Sequence, residues 1–353
     1  MQKKVCVASL YFNPSFVSLL AAFGKAFREA GSEVGYVLDP KYESFGDLRD
    51  VAPVSYYGHV TEEVLDTFTH VLIYNASIPN PLFALKMKRR GCKVAYVYHE
   101  PRVPLGKVWG KLGFGNIARL AVSRIFSRLT LYSCDLIVLP SREAWNSYQL
   151  CESRYNSNML EMPLIFDDGY QSLSPQPRTK FSYIGTISHA HAFDQFLAFM
   201  RYALRENLGI EFLIASRHEV PASEIPEEHR GSVVLRCGRP LTSDEINECY
   251  AQSLCVWNLY RHSTQSAVMA SAFMCGAPVL ASRTGAFLDF VRDGYNGKFA
   301  DGSNFEEVAA AFREIAAAAS SYSENSRRTF ETNFYYKSQL SKIEQILAQV
   351  EVP

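Results

Sequence analysis

Short apolar runs of strand length alternate with amphipathic stretches from the first residues onward. Lys4–Tyr11 is an almost unbroken apolar run, and the Asn13-Pro14-Ser15 turn behind it places proline where a helix begins. A helix with apolar periodicity is predicted over Phe16–Ala30 and is closed by Gly31. Further strands are predicted at Val34–Leu38, Val71–Tyr74, Val94–Tyr98 and Leu136–Leu139, with helices at Pro81–Arg90 and from Ser141 to about Cys151. Apolar runs without alternation belong to strands covered on both faces, so this order predicts a parallel sheet wrapped by helices.

At 167–179 the texture changes to the polar, turn-rich DDGYQSLSPQPRT, and then the same grammar restarts. Strands are predicted at Phe181–Ile184, Ile210–Ala215, Val233–Arg236, Leu254–Asn258 and Pro278–Ser282. Helices are predicted at Phe193–Glu206, Ser243–Gln252, Thr264–Cys275 (stopped by Gly276), Phe305–Ala319 and Tyr336–Val350. The expected layout is an α/β chain of two Rossmann-like parallel-sheet domains, 1–166 and 180–325, joined by a linker at 167–179. A C-terminal helical segment, 326–353, would pack back toward the first domain. Ligands of open parallel sheets bind outside the carboxyl ends of the strands, which directs attention to a cleft between the domains.

Composition narrows the class. The 353 residues are 48% hydrophobic and 20% charged, which is ordinary globular material and enough for two cores. No apolar run reaches the roughly 20 residues that a membrane span needs. The lysines and apolar run of the first dozen residues resemble a signal peptide, but the run stops at Asn13-Pro14 without a small-residue cleavage site, and a buried strand is expected instead. Eight cysteines are scattered without a CxxC pair, so reduced structural thiols are expected, with no metal or other cofactor. The net charge of zero hides an asymmetry. Residues 1–166 hold 19 Lys/Arg against 14 Asp/Glu, and 167–353 hold 17 against 22, so the first half is the one suited to an anionic partner.

That excess has a focus. From Pro101 to Cys134 no acidic residue occurs, while Arg102, Lys107, Lys111, Arg119, Arg124 and Arg128 interleave with apolar and aromatic residues. Such a stretch reads as an anionic-membrane contact through 101–129, or as a helix packed on the sheet with a basic outer face. A nucleic-acid partner has no specific motif behind it and is not expected. The expected location is cytoplasmic, peripheral on the inner face of the plasma membrane.

The chemistry-bearing residues sit at predicted strand ends. Tyr98-His99-Glu100-Pro101-Arg102 follows the fourth strand, placing an exposed His-Glu pair before a rigid proline. His99 and Glu100 are the catalytic candidates, and Asn13, Ser15 and Arg102 are candidates for the acceptor side. In the second half, Arg261-His262-Ser263-Thr264-Gln265-Ser266 feeds the start of a small-residue helix, whose unpaired N–H groups and positive dipole end suit a phosphate. Ser263 or Thr264 could equally be a plain helix cap. Arg217, Arg239 and Arg261 could donate to phosphate or could be solvated surface arginines.

The stretch CGAPVLAS, a following glycine, a short helix and DGYNG resembles the nucleotide-sugar-binding domain of family 4 glycosyltransferases, over about forty residues in register. YIGTISHAHAFDQFL and VLRCGRPLTSDEINECYAQSLCVWNLY are similar to upstream segments of the same domain, and the HEP tripeptide to the family's His-containing segment. The resemblance implies a GT-B fold, a nucleotide-sugar donor, a lipid-linked or glycan acceptor, and retention of anomeric configuration. It places the donor at Gly185, Thr186, Arg217, Arg239, Arg261, Ser263, Thr264, Gln265, Ser266 and Ser271. The two glutamates of the family's E-x7-E motif fall on Ser263 and Ser271, and the first-strand Arg and Lys are replaced by the 186–191 loop. Rival readings are a GT-B-shaped scaffold without catalysis and, more weakly, a sugar-nucleotide epimerase. The absence of a D-x-D triplet argues against the metal-dependent GT-A alternative.

Overall fold

The computed structural model describes residues 2–44, 47–101, 125–172, 176–225 and 227–348. The chain divides into two compact units, Met1–Asp167 with Tyr335–Pro353, and Asp168–Phe334.

The first unit is a seven-stranded, wholly parallel sheet in the order β3-β2-β1-β4-β5-β6-β7. Its strands are β1 (Lys4–Ser9), β2 (Glu33–Leu38), β3 (Val54–Tyr56), β4 (His70–Ile73), β5 (Lys93–Val97), β6 (Leu136–Leu139) and β7 (Met159–Glu161). The order reverses between β1 and β4, so the loops leaving those strands diverge and open a crevice at their carboxyl ends. The second unit is a six-stranded parallel sheet, β10-β9-β8-β11-β12-β13, with its reversal between β8 and β11. Here the strands are β8 (Lys180–Ile184), β9 (Glu211–Ser216), β10 (Val233–Cys237), β11 (Ser253–Asn258), β12 (Val279–Ala281) and β13 (Gly297–Phe299).

Burial explains why these runs became strands. Five of the six residues of β1 are buried, as are five of six in β2 and all four in β6, the pattern of strands covered on both faces. In the second unit Phe181, Phe196, Phe199, Phe212 and Trp257 form one aromatic cluster over the sheet, with ring centroids 5.4–6.3 Å apart. Each is fully buried, and burying one such ring stabilises by about 2–3 kcal/mol.

The structure differs from the sequence reading mostly at the edges. Strands β3, β7 and β13 have three residues each and lie at sheet margins, too short to leave a periodic signature. The helix predicted over Phe305–Ala319 ends at Ala317, and a second, polar helix occupies Ala319–Asn333 within the second unit. The segment expected to return from residue 326 does so only from Tyr335. There Phe166 and Tyr335 form a parallel bridge, and helix Leu340–Ala348 is held by Lys3 Nζ and His70 Nε2, which donate to the Leu347 carbonyl at 3.1 and 2.9 Å. The change of unit falls at the start of the predicted 167–179 linker, and Asp168 and Tyr170 are already fastened into the second unit by Arg327. No helix among the described residues is long and apolar enough to cross a membrane.

Candidate functional site

The second unit brings three loops together at the carboxyl end of its sheet. After β11 the chain crosses 259–266 and enters helix Ala267–Met274. Ser266 is the N-cap: its Oγ accepts from Met269 N at 3.1 Å and donates to Asn258 Oδ1 at 3.2 Å. Asn258 is itself fully buried at the strand end, so the cap is braced by the sheet rather than by solvent. Gly185, leaving β8 with φ +124°, lies so close that an added Cβ would sit 3.2 Å from Val268 Cγ2 in the first helical turn. The third loop is closer still. Gly285 has φ +53°, and a Cβ there would lie 1.6 Å from the Ser263 carbonyl oxygen, which accepts from Ala286 N at 3.2 Å.

Residues 185–186 and 263–266, far apart in sequence, therefore converge on one helix N-terminus. Ser263, Thr264 and Ser266 are buried, and Ser263 Oγ donates to the Gln265 carbonyl at 2.8 Å. Ser271 is half-buried, eight residues beyond Ser263 and inside the helix. Thr186 is exposed, and its carbonyl accepts from Tyr183 Oη at 2.8 Å and pairs with His191 Nδ1 at 2.9 Å. The His191 ring in turn stacks on Tyr260 at 4.4 Å.

The three arginines separate. Arg261 is not free to donate to a phosphate: its guanidinium grips Asp194 Oδ1 and Oδ2 at 2.7 and 2.6 Å and the His189 carbonyl at 2.6 Å. These bonds hold the Asp194 carboxyl below the usual carboxylate range and raise Arg261 above its ordinary value. Arg261 thus straps the 188–194 loop to the 259–262 loop. Arg239 is likewise committed, to Glu245, whose pKa it pulls down to about 2. Glu245 also closes a capping box with Thr242. Arg217, exposed at the end of β9, meets only the neighbouring His218 ring (3.4 Å) and no carboxylate among the described residues. It is the cation of the three left available to an anion.

Sequence reading passed over a cavity of about 390 Å³ beside the same loops, lined by Gln195, Tyr260, Arg261, Arg283, Asp301 and Glu307, among others. The available signal was positional, since Arg283 and Asp301 are each the second residue after β12 and β13.

In the first unit the predicted exposed His-Glu pair is half right. Glu100 is exposed, but His99 is buried, stacked on Phe16 at 5.7 Å and set edge-on to Tyr74 at 4.6 Å. Its Nε2 lies 2.7 Å from the Tyr74 carbonyl, an acceptor, so that nitrogen carries the proton. Packing between two aromatics explains the burial: the imidazole ties the end of β5 to that of β4. Asn13 Oδ1 accepts from Ser15 N at 3.1 Å, and the Asn13 backbone is clasped by Tyr42 Oη at 3.0 and 3.1 Å, while Ser15 is exposed. Arg102 lies outside the described residues, as does most of the basic 101–129 stretch.

A consequence can be measured on the isolated protein. His99→Ala removes a buried ring and a buried hydrogen bond, so it should cost about 2–4 kcal/mol in urea unfolding. His99→Gln, which can keep a donor to the Tyr74 carbonyl, should recover part of that. Equal stability of parent and His99→Ala would show that the ring does not hold the strand ends.

Two open parallel sheets in separate units, with a capped helix N-terminus beneath converging loops, define the GT-B class. Residues 178–318 match the family described as Glycosyl transferases group 1. Among solved structures, Anabaena HepE in complex with UDP is similar at TM-score 0.73 and 14% identity, over 98% of this chain and 100% of that one. Sucrose-phosphate synthase from Thermosynechococcus elongatus is similar at TM-score 0.71 and 12% identity, over 99% of each chain. A glycosyltransferase from Rickettsia africae is similar at TM-score 0.70 and 11% identity, over the full length of both. No curated protein matches the sequence.

Proposed function

We propose that this chain transfers a sugar from a nucleotide-sugar donor to a lipid-linked or glycan acceptor in bacterial surface-polysaccharide assembly. The reading includes retention of anomeric configuration and work at the inner face of the plasma membrane. The observation that carries it is the group 1 match over 178–318, because the loops gathered at Ser266 and Gly185 belong to that segment. HepE has been solved with UDP and with UDP-glucose, which makes uridine nucleotides the first donors to try. The donor diphosphate would meet the helix start at 263–266 and the Gly185-Thr186 turn, with Arg217 as its cation. Ser271 would border the sugar. Glu100 would serve the reacting centre, with the buried His99 positioning the strand end that carries it, and Asn13, Ser15 and Arg102 would serve the acceptor. Stabilising charge on the departing diphosphate would be the main catalytic contribution.

A second reading, a nucleotide-binding scaffold without turnover, is favoured by one observation: Arg239 and Arg261 are both consumed by carboxylates. Hydrolysis of nucleotide sugars separates the two readings. Calorimetry of UDP binding tests the donor site. Ser263→Ala should cost about 1 kcal/mol, the worth of a neutral hydrogen bond. Arg217→Ala should cost about 1.5–3 kcal/mol, as for a bond to a charged group. Unchanged binding by Arg217→Ala would remove this assignment, and no nucleotide binding by the parent would remove the donor reading itself.

A further inference from the structure

We infer that the cavity beside Tyr260 and Arg283 is a second small-ligand site of the second unit, separate from the helix start at 263–266, and that it takes a hydroxylated zwitterion: an amino sugar that also bears a carboxylate. The inference goes beyond sugar transfer and does not depend on it. The cavity measures about 390 Å³. Small-molecule sites span roughly 300–1,000 Å³, so this one suits a single substituted ring better than a chain.

Its walls follow from the sheet order. Strands β11, β12 and β13 stand side by side at one end of the second sheet, and the loops that leave them at 259–262, 282–284 and 300–303 border the cavity. Helices Phe193–Arg205 and Phe305–Ala317 meet through Phe199 and Phe305, with ring centroids 6.0 Å apart, and supply Gln195 and Glu307 from their first turns. Gly302 closes the wall without crowding it. A Cβ there would lie 3.0 Å from Gln195 Oε1 and 3.3 Å from Leu259 Cβ.

Unspent charge sets this cavity apart. Nearby cations are committed to carboxylates: Arg261, on the cavity wall, to Asp194, and Arg239 to Glu245. Arg283 and Glu307 line the same cavity, yet neither side chain forms an ion pair or a hydrogen bond with any described residue. Arg283 lies over the Phe299 ring at 4.6 Å, a contact that steadies the guanidinium and leaves its N–H groups available. The charge of Arg283 helps to lower the Asp293 carboxyl, but that carboxylate is already bonded by Lys298 Nζ at 3.1 Å and Phe299 N at 2.9 Å. The Glu307 carboxylate is not needed as a cap, because Asn304 Oδ1 accepts from Glu307 N at 3.2 Å. Asp301 Oδ1 accepts from Ser303 N and Oγ at 2.9 and 2.7 Å, which holds its carboxyl below the usual range.

Those groups select the ligand. With Arg261 neutralised by Asp194, the cavity presents one cation, Arg283, and two carboxylates, Asp301 and Glu307. An anion alone would meet the carboxylates and a cation alone the guanidinium, whereas one molecule carrying both charges satisfies each. Gln195, whose side-chain amide has no partner among the described residues, offers a donor and an acceptor to hydroxyls. Ser282 Oγ donates to the Tyr260 carbonyl and keeps its lone pairs for a further hydroxyl. Such a lining favours a sugar ring over an aliphatic amino acid.

Calorimetry on the full chain tests the site with three probes. Muramic acid carries amine, carboxylate and hydroxyls, glucosamine the amine without the carboxylate, and glucuronic acid the carboxylate without the amine. Muramic acid should bind about tenfold or more tightly than either control, the effect of one charge-assisted bond. Arg283→Gln should lower its affinity to about that of glucosamine, and Glu307→Gln should lower it toward that of glucuronic acid. Melting temperatures should stay unchanged, because both side chains are exposed. Saturating UDP should leave muramic acid binding in place. Muramic acid binding no tighter than the controls overturns the inference, as does equal binding by the parent and Arg283→Gln. Displacement by UDP overturns it too, since the cavity would then be part of the donor site. Nucleotide-sugar hydrolysis without muramic acid keeps the two readings apart. Turnover without muramic acid binding removes only this site, and muramic acid binding without UDP binding removes only the sugar-transfer reading.

Discussion

Gly285→Ala should destabilise the second unit by about 3 kcal/mol or more and abolish nucleotide binding with it. The methyl group cannot be accommodated: its carbon would lie 1.6 Å from the Ser263 carbonyl oxygen, a backbone atom with no rotamer to escape into. The left-handed conformation at φ +53° adds about 1–2 kcal/mol for any residue with a Cβ, and moving either loop breaks the Ala286 N to Ser263 O bond, worth about 1 kcal/mol. Gly209→Ala is the control within the same unit, since Gly209 has φ +69° but nothing within 4 Å of the added Cβ. Only the conformational cost should appear there, with binding intact. Urea unfolding followed by Trp257 fluorescence, beside calorimetry with UDP, reads both effects. If the two variants lose the same stability and both bind, the close seating of the 284–286 loop on Ser263 is not what shapes the site.

That pair of loops also shows how far the sequence could be read. A glycine after CGAPVLAS and a polar run before a small-residue helix were visible as local texture, and helix starts and strand runs followed from periodicity and capping. Their mutual approach was not visible, because Gly285 and Ser263 meet through the fold. Arginine partners were hidden for the same reason: Asp194 is 67 residues from Arg261, and nothing local marks it as the one carboxylate placed to take both guanidinium nitrogens. Arg239 is instructive in the other direction, since Glu245 lies six residues on, within a recognisable Thr-x-x-Glu capping box that announced a structural role. His99 was placed at the correct strand end but on the wrong side of the surface. Phe16, which buries it, comes from the first helix-forming segment, 83 residues earlier, and only the reversal between β1 and β4 sets the two side by side. The exposure of Leu82 and Leu85 was missed because they share a helix with Phe83, Ala84 and Met87. With apolar residues on both faces, periodicity could not say which face the sheet would cover.

Arg327→Met should cost the second unit about 3–5 kcal/mol, the largest effect expected of any charge substitution in this chain. Arg327 lies under the segment where the chain enters that unit, bonding Asp168 Oδ1 and Oδ2 at 3.0 and 2.8 Å and Glu331 Oε1 at 3.0 Å. The same guanidinium donates to the Met274 carbonyl at the end of the small-residue helix and lies 5.3 Å from the rings of Tyr170 and Phe330. Burial alone would lower its pKa, yet the Asp168 bonds outweigh that and leave it raised, so the ion is held firmly charged. With side-chain exposures of 19% and 6%, this pair is shielded from the screening that makes surface ion pairs weak. Removing the cation takes the counter-ion from the Asp168 carboxylate, which keeps its bonds from Tyr170 N at 3.2 Å and Gln171 Nε2 at 3.1 Å in a nearly closed site, and it takes from the carbonyl end of helix Ala267–Met274 the donor that Arg327 supplied. The helix carrying Ser266 at its other end should then shift, so UDP binding should weaken although no phosphate contact has been touched. Asp168→Leu combined with Arg327→Met removes both charges, and it should be more stable than Arg327→Met alone, because an ion left without its counter-ion costs more than a lost pair. Unfolding of the parent, the two single variants and the double variant closes the cycle. A double variant no more stable than Arg327→Met would mean that the ion pair is incidental and that the Met274 carbonyl and the aromatic rings carry the arginine's role.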